Sequence, residues 1–139
     1  MSCFLVVIRH MSNRFFIIQI IHMTTKEVAN RLVALCRQGN IMDAQKELYG
    51  EEIESIEPAH APAKSAKGIE AVTQKGIAFA GMIEARHGGS VSEPIVEGNH
   101  FTIGWQMDVT MKGRGRVNLE EICVYKVKDG KIVREEFFY

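Results

Sequence analysis

Val127-Lys128-Asp129-Gly130-Lys131-Ile132 places an Asp-Gly pair between two apolar, β-branched flanks. Asp-Gly readily takes the positive φ angles of a two-residue type I′ turn, so the stretch predicts a tight hairpin. Pairing Lys128 with Lys131 carries the ladder back through Tyr125 opposite Arg134 and Cys123 opposite Glu136 to Glu121 opposite Phe138. A second turn, Gly113-Arg114-Gly115-Arg116, joins this hairpin to an upstream strand. With Lys112 paired to Val117, Asp108 falls opposite Glu121 and Gln106 opposite Cys123.

Side chains alternate along a strand with period two. One face then carries Gln106, Asp108, Thr110, Glu121, Cys123, Tyr125, Arg134, Glu136 and Phe138. The other carries Phe101, Ile103, Trp105, Met107, Val109, Met111, Ile122, Val124, Val133, Phe137 and Tyr139, and reads as core or interface. The acidic face admits two readings. A polar, solvated outer face is ordinary for an antiparallel sheet, and Arg134 and Lys112 would neutralise its acids across strands. Against that, Cys123, Tyr125 and Phe138 are interleaved with the carboxylates, as in a pocket wall. A β-bulge would reverse the parity of every residue beyond it.

With 139 residues, 46% hydrophobic content and 17 basic against 17 acidic residues, the chain reads as one compact domain with a single core. Balanced charge lacks the electrostatic footprint of a nucleic-acid binder. Cys3, Cys36 and Cys123 show no metal-ligand spacing and cannot all pair, which points to a reduced, cytoplasmic protein. The histidines form no HxH or HExxH pattern, so no zinc site is expected, and no organic cofactor either. His100, at a strand start, reads as an edge histidine.

The apolar runs Cys3 to Ile8 and Phe15 to Ile21 are split by Arg9-His10-Met11-Ser12-Asn13-Arg14. Neither reaches the roughly 20 residues of a membrane span, so no membrane partner is expected. Residues 1–22 are read as an extension outside the core fold, upstream of a natural start at Met23. If ordered, they would add a strand or cap an apolar surface. Residues 23–139 are then the single domain.

Thr24 or Thr25 caps a first helix, with Val28, Leu32, Leu35 and Cys36 at helical spacing until Gly39. A short second helix, about Met42 to Tyr49, follows at once. Glu51 to Glu57 reads as a strand ended by Pro58, and Ala59 to Lys67 as a loop. Gly68 opens a third helix, with Ile69, Val72, Lys75-Gly76, Phe79, Ala80 and Ile83 on its buried stripe, running on to Gly88-Gly89. A strand from about Ser90 to Val96 precedes the three long ones. The order predicts α+β: a cone-shaped, curved, largely antiparallel sheet wrapped around three N-terminal helices, whose mouth suits a small molecule.

The helical hairpin around Gly39-Asn40, the Leu48-Tyr49 to Glu57-Pro58 stretch, the opening Gly68-Ile69-Glu70-Ala71-Val72 and the terminal Val-Lys-Asp-Gly-Lys-Ile-Val-Arg-Glu-Glu-Phe-Phe-Tyr follow one another in that order. This set resembles the SnoaL-like branch of the nuclear transport factor 2-like superfamily, of cystatin-like α+β barrel architecture, over about Thr24 to Tyr139. The superfamily includes polyketide cyclases, ketosteroid isomerases and limonene-epoxide hydrolases, so the resemblance implies a fold and leaves the activity open.

In the ketosteroid isomerases the general base is an aspartate followed by proline at the end of the first strand; Glu57-Pro58 occupies the similar place. Their two oxyanion-hole donors fall near Leu32 and Cys123, and both are missing here. The second alignment implies that the Cys123 face points into the cone. Glu57, Asp108 and Glu121 are then the catalytic candidates, with Tyr125, Cys123, Glu136, Phe138 and Gln106 lining the pocket. Crowded carboxylates in a partly apolar cavity cannot all ionise cheaply, so one holds a proton as acid while a neighbour acts as base. The implied partner is an apolar small molecule with a carbonyl or hydroxyl group, and the implied assembly a homodimer. An isomerase, cyclase or hydrolase without a cofactor fits this chemistry. A non-catalytic interaction module, or a ligand carrier, is the alternative.

Overall fold

Thr24 starts the first helix with a reciprocal cap. Its hydroxyl accepts from the Glu27 amide at 3.2 Å, and the Glu27 carboxylate accepts from the Thr24 amide at 2.7 Å. Helix α1, Thr25–Arg37, buries Val28, Ala29, Leu32, Val33, Leu35 and Cys36. Gly39, at φ 77°, turns the chain directly into α2, Ile41–Leu48, which buries Ala44 and Leu48. The computed structural model describes residues 20–139 and the pair Phe4–Leu5, so the expectation for residues 1–22 lies largely outside the described residues. Strand β1, Phe4–Leu5, pairs with β2, Ile20–Ile21.

The main sheet contains β3 (Tyr49–Ile56), β4 (Ala66–Lys67), β5 (Ile83–Val91), β7 (His100–Met111), β8 (Gly115–Lys128) and β9 (Lys131–Phe138), in the order β4-β3-β9-β8-β7-β5. A short β6, Ile95–Glu97, pairs with β7. Only β3 and β9 run parallel; the other pairs are antiparallel. The sheet is open, mixed and curved around the helices, in keeping with the expected cone. Helix α3, Ile69–Gly81, enters between β4 and β5. The core forms where Val28, Leu32 and Cys36 of α1 meet Phe101, Ile103, Cys123, Tyr125 and Ile132 of the sheet. Phe101 and Tyr125 stack there with centroids 4.7 Å apart. Each such large side chain, fully buried, contributes roughly 1.5–3 kcal/mol.

The third helix stops at Gly81 instead of running to Gly88-Gly89, and Ile83–Val91 is an edge strand. Gly89 serves close pairing, not a helix end: a Cβ there would stand 2.4 Å from the Gln106 carbonyl oxygen of β7.

The hairpin at Asp129-Gly130 forms as the sequence predicts, with φ of 51° and 74° and Lys128 opposite Lys131. Beyond it the register departs from expectation. Val127 pairs with Ile132 but Lys126 pairs with Arg134, so Val133 is an inserted residue, and Tyr125 then faces Glu135 and Cys123 faces Phe137. The upstream turn is also tighter than expected, closing between Met111 and Gly115. That shift sets Asp108 opposite Asn118, Gln106 opposite Glu120 and Trp105 opposite Glu121. Each change is by an odd number of residues, and each reverses a face. Phe101, Ile103, Met107, Val109, Cys123, Tyr125 and Glu135 are consequently buried on the inner, helix-covered face. The expectation that Asp108, Glu121 and Glu136 share a face is therefore corrected.

Candidate functional site

The inner face gathers its polar groups at the end of β3. Strand alternation that buries Ile53 also buries Ser55, and brings Glu57 inward just past the strand. Lys75 arrives from α3 on the stripe that includes Val72. Its ammonium donates to Glu57 Oε1 and to Ser55 Oγ, each at 2.5 Å, and lies 5.0 Å from the centroid of the Phe137 ring. The Lys75 and Glu57 side chains are only 18% and 9% exposed, so little solvent screens this pair. Deeper in, Ser55 Oγ donates to Glu135 Oε1 at 2.6 Å, and the Tyr49 hydroxyl donates to Glu135 Oε2. Toward the rim, Tyr139 Oη donates to Glu57 Oε2 at 2.9 Å, and the His60 ring packs edge-on against Tyr139 at 5.8 Å. One chain of hydrogen bonds thus links Tyr49, Glu135, Ser55, Lys75, Glu57 and Tyr139.

Glu121 faces this chain from β8. Burial is the main reason its carboxyl is pushed up to about 7; Glu57 and Glu135 add to the shift, while the Cys123 thiol, 3.5 Å from Glu121 Oε1, and the Lys75 ammonium oppose it. Burial likewise raises Glu135, against the hydrogen bonds from Ser55 and Tyr49 that favour its ionised form. Tyr49, Tyr125 and Cys123 are all raised chiefly by burial, so none of them is an acid or nucleophile near neutrality. The arrangement supplies a carboxyl able to hold a proton near pH 7 beside a carboxylate fixed by an ammonium. Among the described residues, no group of three His, Cys, Asp or Glu side chains is placed to hold a metal ion.

Of the sequence candidates, Glu57 and Glu121 come together on the inner face. Cys123 and Tyr125 share that face but are packed in the core, 0% and 2% exposed. Asp108, Gln106, Glu136 and Phe138 lie on the outer face, contrary to expectation. Arg116 grips Asp108 with two hydrogen bonds of 2.9 and 2.7 Å and holds its carboxyl below the ordinary range. Glu136 pairs with Arg134 of its own strand at 3.1 Å, and Arg134 also reaches across to Glu54 of β3 at 3.3 Å. The acids of this face are thus neutralised, but by Arg116 and a same-strand Arg134 and not by Lys112. Gln106 donates to Asn118 at 3.2 Å, and Phe138 is half-exposed.

Two surface hollows stand apart from Lys75. One of about 500 Å³ is lined by Gly88, Ser90, Gln106, Asp108, Arg116 and Asn118 on the outer face. Another, of about 450 Å³, crosses β5, β7 and β8 past Trp105 and Glu121 to Phe138. The second touches one member of the inner cluster, Glu121.

Sequence reasoning missed Tyr49, Ser55, Lys75 and Glu135 as site residues. A signal existed for Lys75, a charge inside the buried stripe of α3, and for Ser55, which shares the parity of Ile53 and Glu57. Glu135 was hidden by the bulge.

Comparison with known proteins places the fold. The family model described as SnoaL-like domain matches residues 23–139. A candidate SnoaL-like polyketide cyclase from Mesorhizobium loti is 37% identical; the match covers 84% of this chain and 100% of that one, with a TM-score of 0.79. A nuclear transport factor 2-like protein from Burkholderia thailandensis E264 is 18% identical over 84% of this chain and 90% of its own, with a TM-score of 0.71. One of unknown function from Burkholderia pseudomallei K96243 is 13% identical over 84% and 92%, with a TM-score of 0.68. No curated protein sequence matches closely enough to count as a relative.

Proposed function

The chain belongs to the SnoaL-like domain family, and from that premise we propose that it binds an apolar small molecule bearing a carbonyl or hydroxyl group at the inner rim, between Glu57 and Glu121, and moves a proton on it. In this reading Glu121 is the general acid, holding a proton near neutrality, and Glu57 is the base, oriented by Lys75 and Tyr139. The reaction class is a cofactor-independent isomerisation, cyclisation or hydrolysis. Trp105 and Phe137 supply apolar contact beside the two carboxyl groups. The observation that carries the proposal is the convergence of two acids in unlike surroundings: one paired with a largely shielded ammonium, the other partly buried without a cation of its own. Such a split divides acid and base roles between like residues. The candidate polyketide cyclase from Mesorhizobium loti, at 37% identity, supports a substrate of polyketide character.

The protein is further read as a cytoplasmic homodimer. Cys36 and Cys123 are free thiols, which suits a reducing compartment. Among the described residues, no helix is long and apolar enough to cross a membrane. Ile122 and Phe138, 54% and 51% exposed, form an apolar patch on the outer face that suits a second copy. The same patch favours the second reading, a non-catalytic interaction module.

Native mass spectrometry of freshly purified protein decides between them. The enzyme or carrier reading predicts a co-purified small molecule, lost in Glu57→Gln and held by the wild type in a manner that weakens as pH rises through about 7. Equal retention by Glu57→Gln and Glu121→Gln would remove the rim as the binding site and leave the interaction module.

A further inference from the structure

Tyr49, Ser55 and Glu135 lie behind the rim, where a ligand seated between Glu57 and Glu121 does not reach. Ser55 is 0% and Glu135 3% exposed. A buried carboxylate is costly unless it is paired and its oxygens are filled, and the directions of the hydrogen bonds show how this one is held. Tyr49 and Ser55 each have one hydroxyl proton, and both donate it to Glu135. Ser55 Oγ is thereby left to accept, and it accepts from Lys75. On the other side Lys75 and Tyr139 donate to the two oxygens of Glu57. Two carboxylates therefore share one ammonium, Glu57 directly and Glu135 through a serine hydroxyl.

We infer that Ser55 and Glu135 are positioning residues of the site: acting through Lys75, they hold Glu57 in its place and tune how readily Glu121 releases its proton. The inference rests on Glu121 being the acid of the site. The titratable groups facing Glu121 are Glu57 beyond β3, Lys75 on α3, Cys123 on its own strand, Glu135 on β9 and Tyr139 at the C-terminus. Negative charge on Glu135 opposes ionisation of Glu121, whereas Lys75 favours it. Taking the charge from Glu135 leaves the ammonium to Glu57 alone and reduces the negative field at Glu121.

The test needs no ligand. The full chain is labelled with 13C at the glutamate carboxyl carbons, the Glu121 signal is identified by its loss in Glu121→Gln, and its midpoint is followed by NMR. The wild type should titrate at about 7. Glu135→Gln, which keeps the shape and one of the two accepting oxygens, should lower the midpoint by about 0.5–1 unit, a three- to tenfold loss of proton affinity. Ser55→Ala should lower it too, because Glu135 deprived of a donor holds its own proton more readily. Ser55→Thr, which restores the hydroxyl, should return the wild-type value. Should Glu135→Gln fail to fold, Tyr49→Phe removes one donor to Glu135 and is expected to act in the same direction. A Glu121 midpoint near 7 that is unmoved in these variants would overturn the positioning role alone. A wild-type midpoint in the ordinary glutamate range would overturn the acid assignment and the positioning role together.

Discussion

The two faces of one sheet carry the same residue types and put them to opposite use. On the outer face Asp108 meets Arg116 and Glu136 meets Arg134, in pairs that water reaches. On the inner face Glu57 and Glu135 share a single ammonium, Glu121 stands beside them without one, and the side chains of Glu57 and Lys75 are 9% and 18% exposed. A carboxylate in water, matched to its own guanidinium, ionises easily and contributes little to stability. Three carboxyl groups beside one cation, shielded from much of the solvent, cannot all do so, and the one without a partner keeps its proton until neutral pH. What separates the faces is a single step of strand parity.

Removing the shared cation is expected to have the largest effect. Lys75→Met leaves Glu57 and Glu135 without their counter-charge, and chemical denaturation near neutral pH should register a loss of roughly 3–5 kcal/mol. A loss near zero would make the inner cluster energetically equivalent to the outer pairs and erase the contrast.

Neutralising Glu121 should work the other way. The folded carboxyl titrates at about 7 against an ordinary 4.5, so between those values the folded state binds more protons than the unfolded one, and wild-type stability falls as pH rises. Above about 7 the full penalty is present; below about 4.5 it vanishes. Glu121→Gln should therefore be more stable than wild type by on the order of 2–3 kcal/mol at about pH 8, with the gap closing toward pH 4.5. A gap independent of pH would mean that Glu121 is not short of water.

The smallest effect belongs to the outer face. Asp108→Ala should leave the melting temperature within replicate scatter, and more so at high salt, since a screened surface pair has little to lose. A large drop would assign Asp108 a role that its position does not predict.

Much of the contrast can be read from the chain, and its failures have one cause. The threonine cap of the first helix, which falls on Thr24, the glycine turn between the first helices and the Asp129-Gly130 hairpin rest on local chemistry, and all three form as expected. Glu57 was legible from its proline neighbour, and Glu121 from its parity with Cys123. The partners across the strands were not, because Val133 adds a residue to β9 and the turn after Met111 is shorter than its glycines suggest. Either change alone sends a strand's acids to the other face, and neither leaves a mark in composition or periodicity. The end of α3 failed for a related reason: Gly88-Gly89 looks like a helix stop until a neighbouring strand is known to press against Gly89. Lys75 shows the limit most clearly, since a lysine in a helix stripe reads as a snorkelling side chain until Glu57, which it meets, and Glu135, which it reaches through Ser55, are placed by tertiary pairing.

The central claim is that Glu121 is enclosed on the helix-covered face and protonated near neutrality, and infrared difference spectroscopy addresses it directly. Wild type minus Glu121→Gln at about pH 6 should contain the carbonyl stretch of a protonated carboxyl group, fading into the carboxylate bands as pH passes about 7. A difference spectrum showing only carboxylate at about pH 6 would contradict the account, because Glu121 would then ionise like a glutamate in water.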